Sequence, residues 1–187
     1  TEGDVPFDVH PQVISPKPIT ITYNIPSNFT YGQEFPTNPA TSLGLVGNHC
    51  IDLVGNIEGA GIKTVTARIL NSSNEDVSDN YKIENGTGIH MFEIKKAVLT
   101  VTPDLVAMTK TYGSSDPELT FTLSGFVNDE NESVVSGALT RSEGEDATTY
   151  LFKVDELVAA NYRFVISENA KLFTISKLET TVDYKLN

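Results

Sequence analysis

Apolar and polar residues alternate with period two along much of this chain. The clearest runs are Ile19-Thr20-Ile21-Thr22-Tyr23, Leu99-Thr100-Val101, Leu119-Thr120-Phe121-Thr122-Leu123 and Tyr150-Leu151-Phe152-Lys153-Val154. Thr, Val, Ile, Tyr and Phe at alternate positions fit a pleated surface that is buried on one side. Clusters such as Glu143-Gly144-Glu145-Asp146 separate the runs and read as turns. No long stretch has helical periodicity. The best helical candidate is a short one around Asp129 to Val135, with Leu53 and Val54 as its counterparts earlier in the chain. The pattern predicts a mainly β protein.

The same pattern is written twice. A shift of 81 residues puts Thr30-Tyr31-Gly32 on Thr111-Tyr112-Gly113, Pro36 on Pro117, Thr41 on Thr122, Gly44 on Gly125 and Val46 on Val127. Further on, Val77, Asn80, Tyr81, Phe92, Ile94 and Lys96 fall on Val158, Asn161, Tyr162, Phe173, Ile175 and Lys177. A period of this size marks an array of like domains. The repeats run over 18–96 and 97–177, with at most a short helix each. Residues 1–17 read as the end strand of a preceding unit or an N-terminal extension, and 178–187 as the start of a following one.

The joint between units also recurs. Val13 to Ile21 matches Glu93 to Val101, and Thr174-Ile175-Ser176-Lys177 opens the same pattern again. A closing strand passes into an opening strand across a few residues. A link that short restricts the geometry of adjacent units and predicts an end-to-end arrangement.

The second copy carries a set of motifs: Leu99-Thr100-Val101, Tyr112-Gly113-Ser114, Asp116-Pro117, Leu119-Thr120-Phe121 running into Ser124-Gly125, Asn161-Tyr162, and Leu172-Phe173-Thr174-Ile175-Ser176-Lys177. It resembles the bacterial MBG ("mostly β-grasp") domains of the YGX type. The first copy keeps Tyr31-Gly32-Gln33 and Asn80-Tyr81, has Phe35-Pro36 in place of Asp-Pro, and carries a longer polar stretch from Asn71 to Asp79. The resemblance implies β-grasp-like repeats of secreted or surface-anchored bacterial proteins, adhesin-like ones among them, located outside the cell. It implies no catalytic residue set. Tyr31, Gly32, Pro36, Asn80, Tyr81, Tyr112, Gly113, Pro117, Asn161 and Tyr162 are then structural motif residues. Physically, Tyr-Gly followed by Pro is a turn entry in which Gly allows positive φ, while the Tyr ring can be buried with its hydroxyl on the backbone.

Charge and candidate chemistry narrow the function. The net charge of −12 is spread over both copies: residues 1–96 hold 11 acids and 6 bases, and 97–187 hold 14 and 7. Such a surface argues against nucleic acid and anionic membrane as partners, which need a basic footprint. The single cysteine, Cys50, rules out an internal disulfide, and no apolar run is long enough for a membrane helix. His10, His49 and His90 are scattered. Adjacent His49 and Cys50 would point to opposite faces of a strand, which is poor metal geometry. The acidic loops supply Asp129, Glu130, Glu132, Glu145 and Asp146 as weak Ca²⁺ candidates, without the ligand spacing of an EF-hand. Asn28, Asn71, Asn85 and Asn131 begin sequons that matter only in a eukaryotic secretory pathway.

The expectation is a non-catalytic spacer without cofactor, a stalk of repeats whose partners are neighbouring repeats of the same chain. The alternative is a module that binds an extracellular glycan or protein through its loops or an exposed strand edge. With no tryptophan in the chain, a preferred stacking and hot-spot residue is missing, which favours the spacer.

Overall fold

In a computed structural model of the chain, residues 14–181 are described. Expectations for residues 1–13 and 182–187, including His10 and most of both flanking extensions, lie outside them. The described residues are mainly β, with short 3-10 turns at Ser78–Asn80, Leu105–Met108 and Glu132–Val134. The chain forms two compact units. Among the described residues, unit 1 takes 14–26, 35–57 and 63–92, and unit 2 takes 27–34, 58–62 and 93–181. These differ from the uninterrupted blocks 18–96 and 97–177 chiefly in two loops of the first block, which pack with unit 2.

Unit 1 is organised around β1 (Lys17–Tyr23). It pairs antiparallel with β2 (Ala40–Leu43) and parallel with β5 (Tyr81–Ile83), in the order β2-β1-β5. Ile19 and Ile21, two residues apart on one face, are buried with Ile69 and Tyr81. A second sheet runs β3 (Cys50–Val54), β4 (Gly61–Leu70), β6 (Ile89–Ile94). Leu53 and Val54 therefore lie in a strand, not in the short helix predicted for them. Val54 is paired with Thr66 and Leu53 with Ala67, so the ladder satisfies the backbone groups that a helical turn would have used.

Unit 2 repeats the first sheet. Strand β7 (Ala97–Pro103) pairs antiparallel with β9 (Phe121–Ser124) and parallel with β13 (Tyr162–Ile166). The registers correspond: Thr20 faces Leu43 in unit 1 as Thr100 faces Ser124 in unit 2, and Lys17 faces Tyr81 as Ala97 faces Tyr162. Gly44 and Gly125 end the equivalent strands with φ of +106° and +104°. A second sheet runs β11 (Thr149–Tyr150), β14 (Phe173–Ser176), β8 (Thr109–Thr111), and β10 (Thr140–Arg141) pairs with β12 (Phe152–Lys153).

The run Tyr150 to Val154, read as one strand, is thus two. Tyr150 and Phe152 are both buried while Leu151 is exposed, as the alternation requires, but the chain changes sheets at Leu151. The predicted helix around Asp129–Val135 is a single 3-10 turn, Glu132–Val134, capped by the Asn131 side chain, which accepts from the Ser133 N–H. Strand β9 starts at Phe121, leaving Leu119 and Thr120 outside it.

Candidate interaction site: a tyrosine socket and a charged cluster

The repeated Asn-Tyr pair marks the first residue of β5 and of β13, the strands that lie parallel to the central one. Tyr162 is 2% exposed. Its hydroxyl accepts from the Val127 N–H at 3.1 Å and donates to the Glu130 carboxylate. The equivalent Tyr81 is buried too, and its hydroxyl accepts from the Val46 N–H at 3.3 Å and bonds His49 Nδ1 at 2.6 Å. Val46 and Val127 are 81 apart, and so are His49 and Glu130. Each unit therefore ties the turn after β2 or β9 to the same tyrosine, with a titratable side chain as second partner. Burial first, and then the Glu130 carboxylate, push the Tyr162 phenol up from its usual range.

In unit 2 this arrangement is covered by the loop 27–34. The Tyr31 hydroxyl donates to the other oxygen of Glu130 at 2.8 Å, and its ring meets that of Tyr162 edge-on at 5.7 Å. Gly32 follows with φ of +89°, and a Cβ there would come within 2.5 Å of Val127. Asn161 Oδ1 accepts from the Ala60 N–H at 2.9 Å, so the loop 58–62 is held by the same corner. The turn itself is fixed by the Tyr31 N–H donating to Lys95 O at 2.9 Å and the Gln33 N–H donating to Thr30 O at 3.0 Å.

The second Tyr-Gly turn has the same backbone and different surroundings. The Tyr112 N–H donates to Ser176 O at 2.8 Å, the Ser114 N–H to Thr111 O at 3.0 Å, and Gly113 has φ of +85°. Yet Tyr112 is 52% exposed, and a Cβ on Gly113 would meet nothing within 4 Å. The turn-entry reading of glycine holds at both positions. The expected buried Tyr with its hydroxyl on the backbone does not: Tyr31 bonds a carboxylate and Tyr112 is exposed, whereas among the motif tyrosines it is Tyr81 and Tyr162 that bond the backbone.

This contrast gives a direct prediction. Gly113→Ala should cost about 1 kcal/mol, the strain of a left-handed residue. Gly32→Ala carries the same strain plus an overpacking contact, and should cost a further ~1–3 kcal/mol. Thermal melts of the two full-length variants should separate in that order. Equal losses would show that the Gly32–Val127 approach is not a real constraint.

Asp116-Pro117 belongs to a second constellation. Arg141, at the end of β10, lies between Tyr150 and Phe173, its guanidinium carbon 4.9 Å from each ring centre. All five of its N–H groups are used: Nε and Nη2 grip Asp116 at 2.6 and 2.9 Å, Nη2 reaches Glu145 at 2.7 Å, and Nη1 donates to the carbonyls of Ser142 and Gly144. Lys110 on β8 is buried and bridges Asp116, at 2.6 Å, and Glu145. The Arg141 guanidinium, ahead of Lys110, draws the Asp116 pKa down to about 2. Glu145 is lowered chiefly by Lys110, and both cations are raised, chiefly by Asp116. In the first copy the 81-residue shift puts Phe29 and Phe35 where Lys110 and Asp116 stand. A cation and its anion are lost together, so no charge is stranded. Phe35 instead packs on Phe92, with centroids 6.0 Å apart. Pro117 is half-buried, as is Pro36.

The weak Ca²⁺ candidates are dispersed over these two arrangements. Glu130 serves the tyrosines and Glu145 the cations. Asp129, with φ of +56°, sits in the turn after Val127, while Glu132 opens the 3-10 turn and Asp146 offers its carbonyl to the Tyr150 hydroxyl. Among the described residues, no group of three or more His, Cys, Asp or Glu is placed to hold a metal ion. His49 and His90 are spent on ring contacts, His90 stacking on Tyr23 at 4.2 Å, and Cys50 is exposed. The charged cluster and the partners His49 and Glu130 were not singled out as a unit from sequence. The shift of 81 that pairs His49 with Glu130 was the available signal.

The parallel β7–β13 pair, the exposed Tyr-Gly turn, Asp116-Pro117 and the start of the closing strand at Phe173 all fall within one stretch of the chain that has a counterpart among known families. Residues 99–173 match the MBG domain (YGX type). The MBG segment begins inside β7 and ends at the first residue of β14, so it takes in Tyr112-Gly113, Asp116-Pro117 and Asn161-Tyr162. The first copy, 18–96, lies outside the match. No curated protein and no solved structure matches the chain. No helix among the described residues is long and apolar enough to cross a membrane.

Proposed function

We propose that this chain is a non-catalytic spacer from a bacterial extracellular or cell-surface protein of adhesin-like type, in which MBG-like units set end to end add reach. The MBG match supports a repeat module of surface-protein kind. The observation that carries the reading is that one sheet, with its tyrosine tie, is built twice in the same register. Only Lys95 and Lys96 stand between the end of β6 and the start of β7. A link of two residues is too short to act as a flexible coil between the repeats.

Small-angle scattering tests this. A single compact body of this length would have a radius of gyration near ~16 Å. An end-to-end pair should give a clearly larger value, above ~20 Å by the same scaling. A value at the compact figure would mean side-by-side packing and would remove the spacer's physical basis.

A second reading has one observation in its favour. Strand β6 is the outer strand of its sheet and shows Ile89 and Met91, 54% and 63% exposed. An extracellular protein segment added to that edge is the binding alternative.

A further inference from the structure

We propose that the cleft over Tyr81 and His49 in unit 1 is a docking socket for a Tyr-Gly turn, and that its occupant is the Tyr112-Gly113 turn of a second copy of this chain. The cleft has a volume of about 320 Å³ and is lined by Ile14, Pro16, Val46, His49, Asn80 and Tyr81, among others. Four of these residues, Val46, His49, Asn80 and Tyr81, stand 81 positions before Val127, Glu130, Asn161 and Tyr162. In unit 2 three of those four carry a Tyr-Gly turn, with Tyr31 on Glu130 and Tyr162 and Gly32 on Val127, while Asn161 holds the neighbouring loop at Ala60. The molecule thus contains its own filled example of the site.

Exposure distinguishes filled from open. Val127 is half-buried beneath Gly32, whereas Val46 is 42% exposed. Asn161 is half-buried and holds the Ala60 N–H, whereas Asn80 is exposed and its side chain makes no hydrogen bond among the described residues. Glu130 bridges two phenols, one on each oxygen. His49 bonds Tyr81 through Nδ1 and leaves Nε2 without a hydrogen bond among the described residues. An imidazole has one nitrogen for each of two phenols, so His49 can serve as the same kind of bridge. Ile14, 90% exposed, adds apolar surface at the cleft.

The occupant is identified by shape. The Tyr112-Gly113 turn has the hydrogen bonds of the Tyr31-Gly32 turn to within 0.1 Å and a glycine φ of +85° against +89°. Its ring is half in solvent and its glycine is open to close approach, so it can meet Val46 as Gly32 meets Val127. One free turn and one open socket on each chain make a heterologous contact, in which different surfaces of two copies meet. The patch is small, and the affinity belongs at the weak end of protein association.

The test is sedimentation velocity of the full chain up to ~1 mM, a concentration that populates contacts of millimolar strength. The wild-type average mass should rise with concentration. Tyr112→Ser removes the turn's ring and Val46→Glu puts a carboxylate on the cleft floor. Both positions are solvent-exposed, and melts would verify that each variant folds. Each variant alone should stay monomeric, because each keeps only one half of the contact. An equimolar mixture should form a one-to-one pair and nothing larger. A wild type that remains monomeric throughout, either variant associating as the wild type does, or a mixture that does not pair would overturn the proposal. The spacer reading is read out separately by the radius of gyration of the dilute monomer, so neither failure mimics the other.

Discussion

Phe173→Ala should be the most damaging single truncation in the MBG segment, with a loss of about 3–5 kcal/mol. Phe173 is fully buried at the first position of β14, among Val101, Met108, Leu139, Tyr150, Phe152, Leu157 and Ile175. Its ring meets Phe152 edge-on, with centroids 6.2 Å apart, and forms one wall of the slot that holds the Arg141 guanidinium. Truncation would leave a cavity and uncover one face of a cation that is otherwise sandwiched. Domains of this size hold only about 5–15 kcal/mol of stability in total. Leu172→Ala, one residue earlier, is the internal control: Leu172 is 44% exposed, and its loss should stay within ~0.5 kcal/mol. Denaturant midpoints at unchanged slope would measure both. If the two variants shifted the midpoint alike, the core would not be centred on Phe173.

Alternation along the chain was sufficient to find the central strands. Ile19/Ile21 and Leu99/Val101 do face inward, because a buried sheet face imposes period two whatever the rest of the fold does. The 81-residue shift aligned single residues of β2 with β9 and of β5 with β13, and it aligned the two Tyr-Gly turns, but of these four strands only the β9 run was read as a strand from its alternation. Where the copies diverge, local pattern misled. Leu53 and Val54 were matched to a helical turn by position, but a ten-residue β4 offers them a ladder partner that unit 2 lacks there. Tyr150 to Val154 shows ideal alternation over two strands, because burial parity survives a change of sheet and hydrogen-bond partner does not enter the pattern.

The sites were less legible than the strands. Tyr81 and Tyr162 were recognised as motif residues, but their role depends on partners 32 to 35 residues away in the chain. The acidic loop was read by its carboxylates alone. Glu145 is drawn to Lys110 and Arg141, and Glu130 to two phenols, and neither attraction leaves a local signature. Lys110, as a single lysine in an alternating strand, gave no sign of being buried. Only the paired loss of Lys110 and Asp116 in the first copy, where Phe29 and Phe35 stand, could have indicated that they act together.

That pairing sets the pH at which unit 2 should weaken. Asp116 is held near a pKa of about 2 by Arg141 and then Lys110, against roughly 3.9 for a free aspartate. A carboxylate with a depressed folded-state pKa stabilises fully above its unfolded value and loses that contribution as pH falls through the folded one. The loss should therefore run from about pH 4 to about pH 2, and Glu145, also lowered, acts in the same direction. Asp116→Asn keeps the shape and removes the charge, leaving Arg141 and Lys110, both with buried side chains, to share Glu145 alone. The expected cost at neutral pH is about 1–3 kcal/mol, kept low because more than a third of the Asp116 side chain is open to screening water. In melts from pH 7 down to pH 2, the variant should begin lower and fall less steeply across the acid window, so the two curves converge. Parallel curves would mean that the acid loss arises elsewhere, and that Asp116 holds Arg141 in place without contributing to stability through its charge.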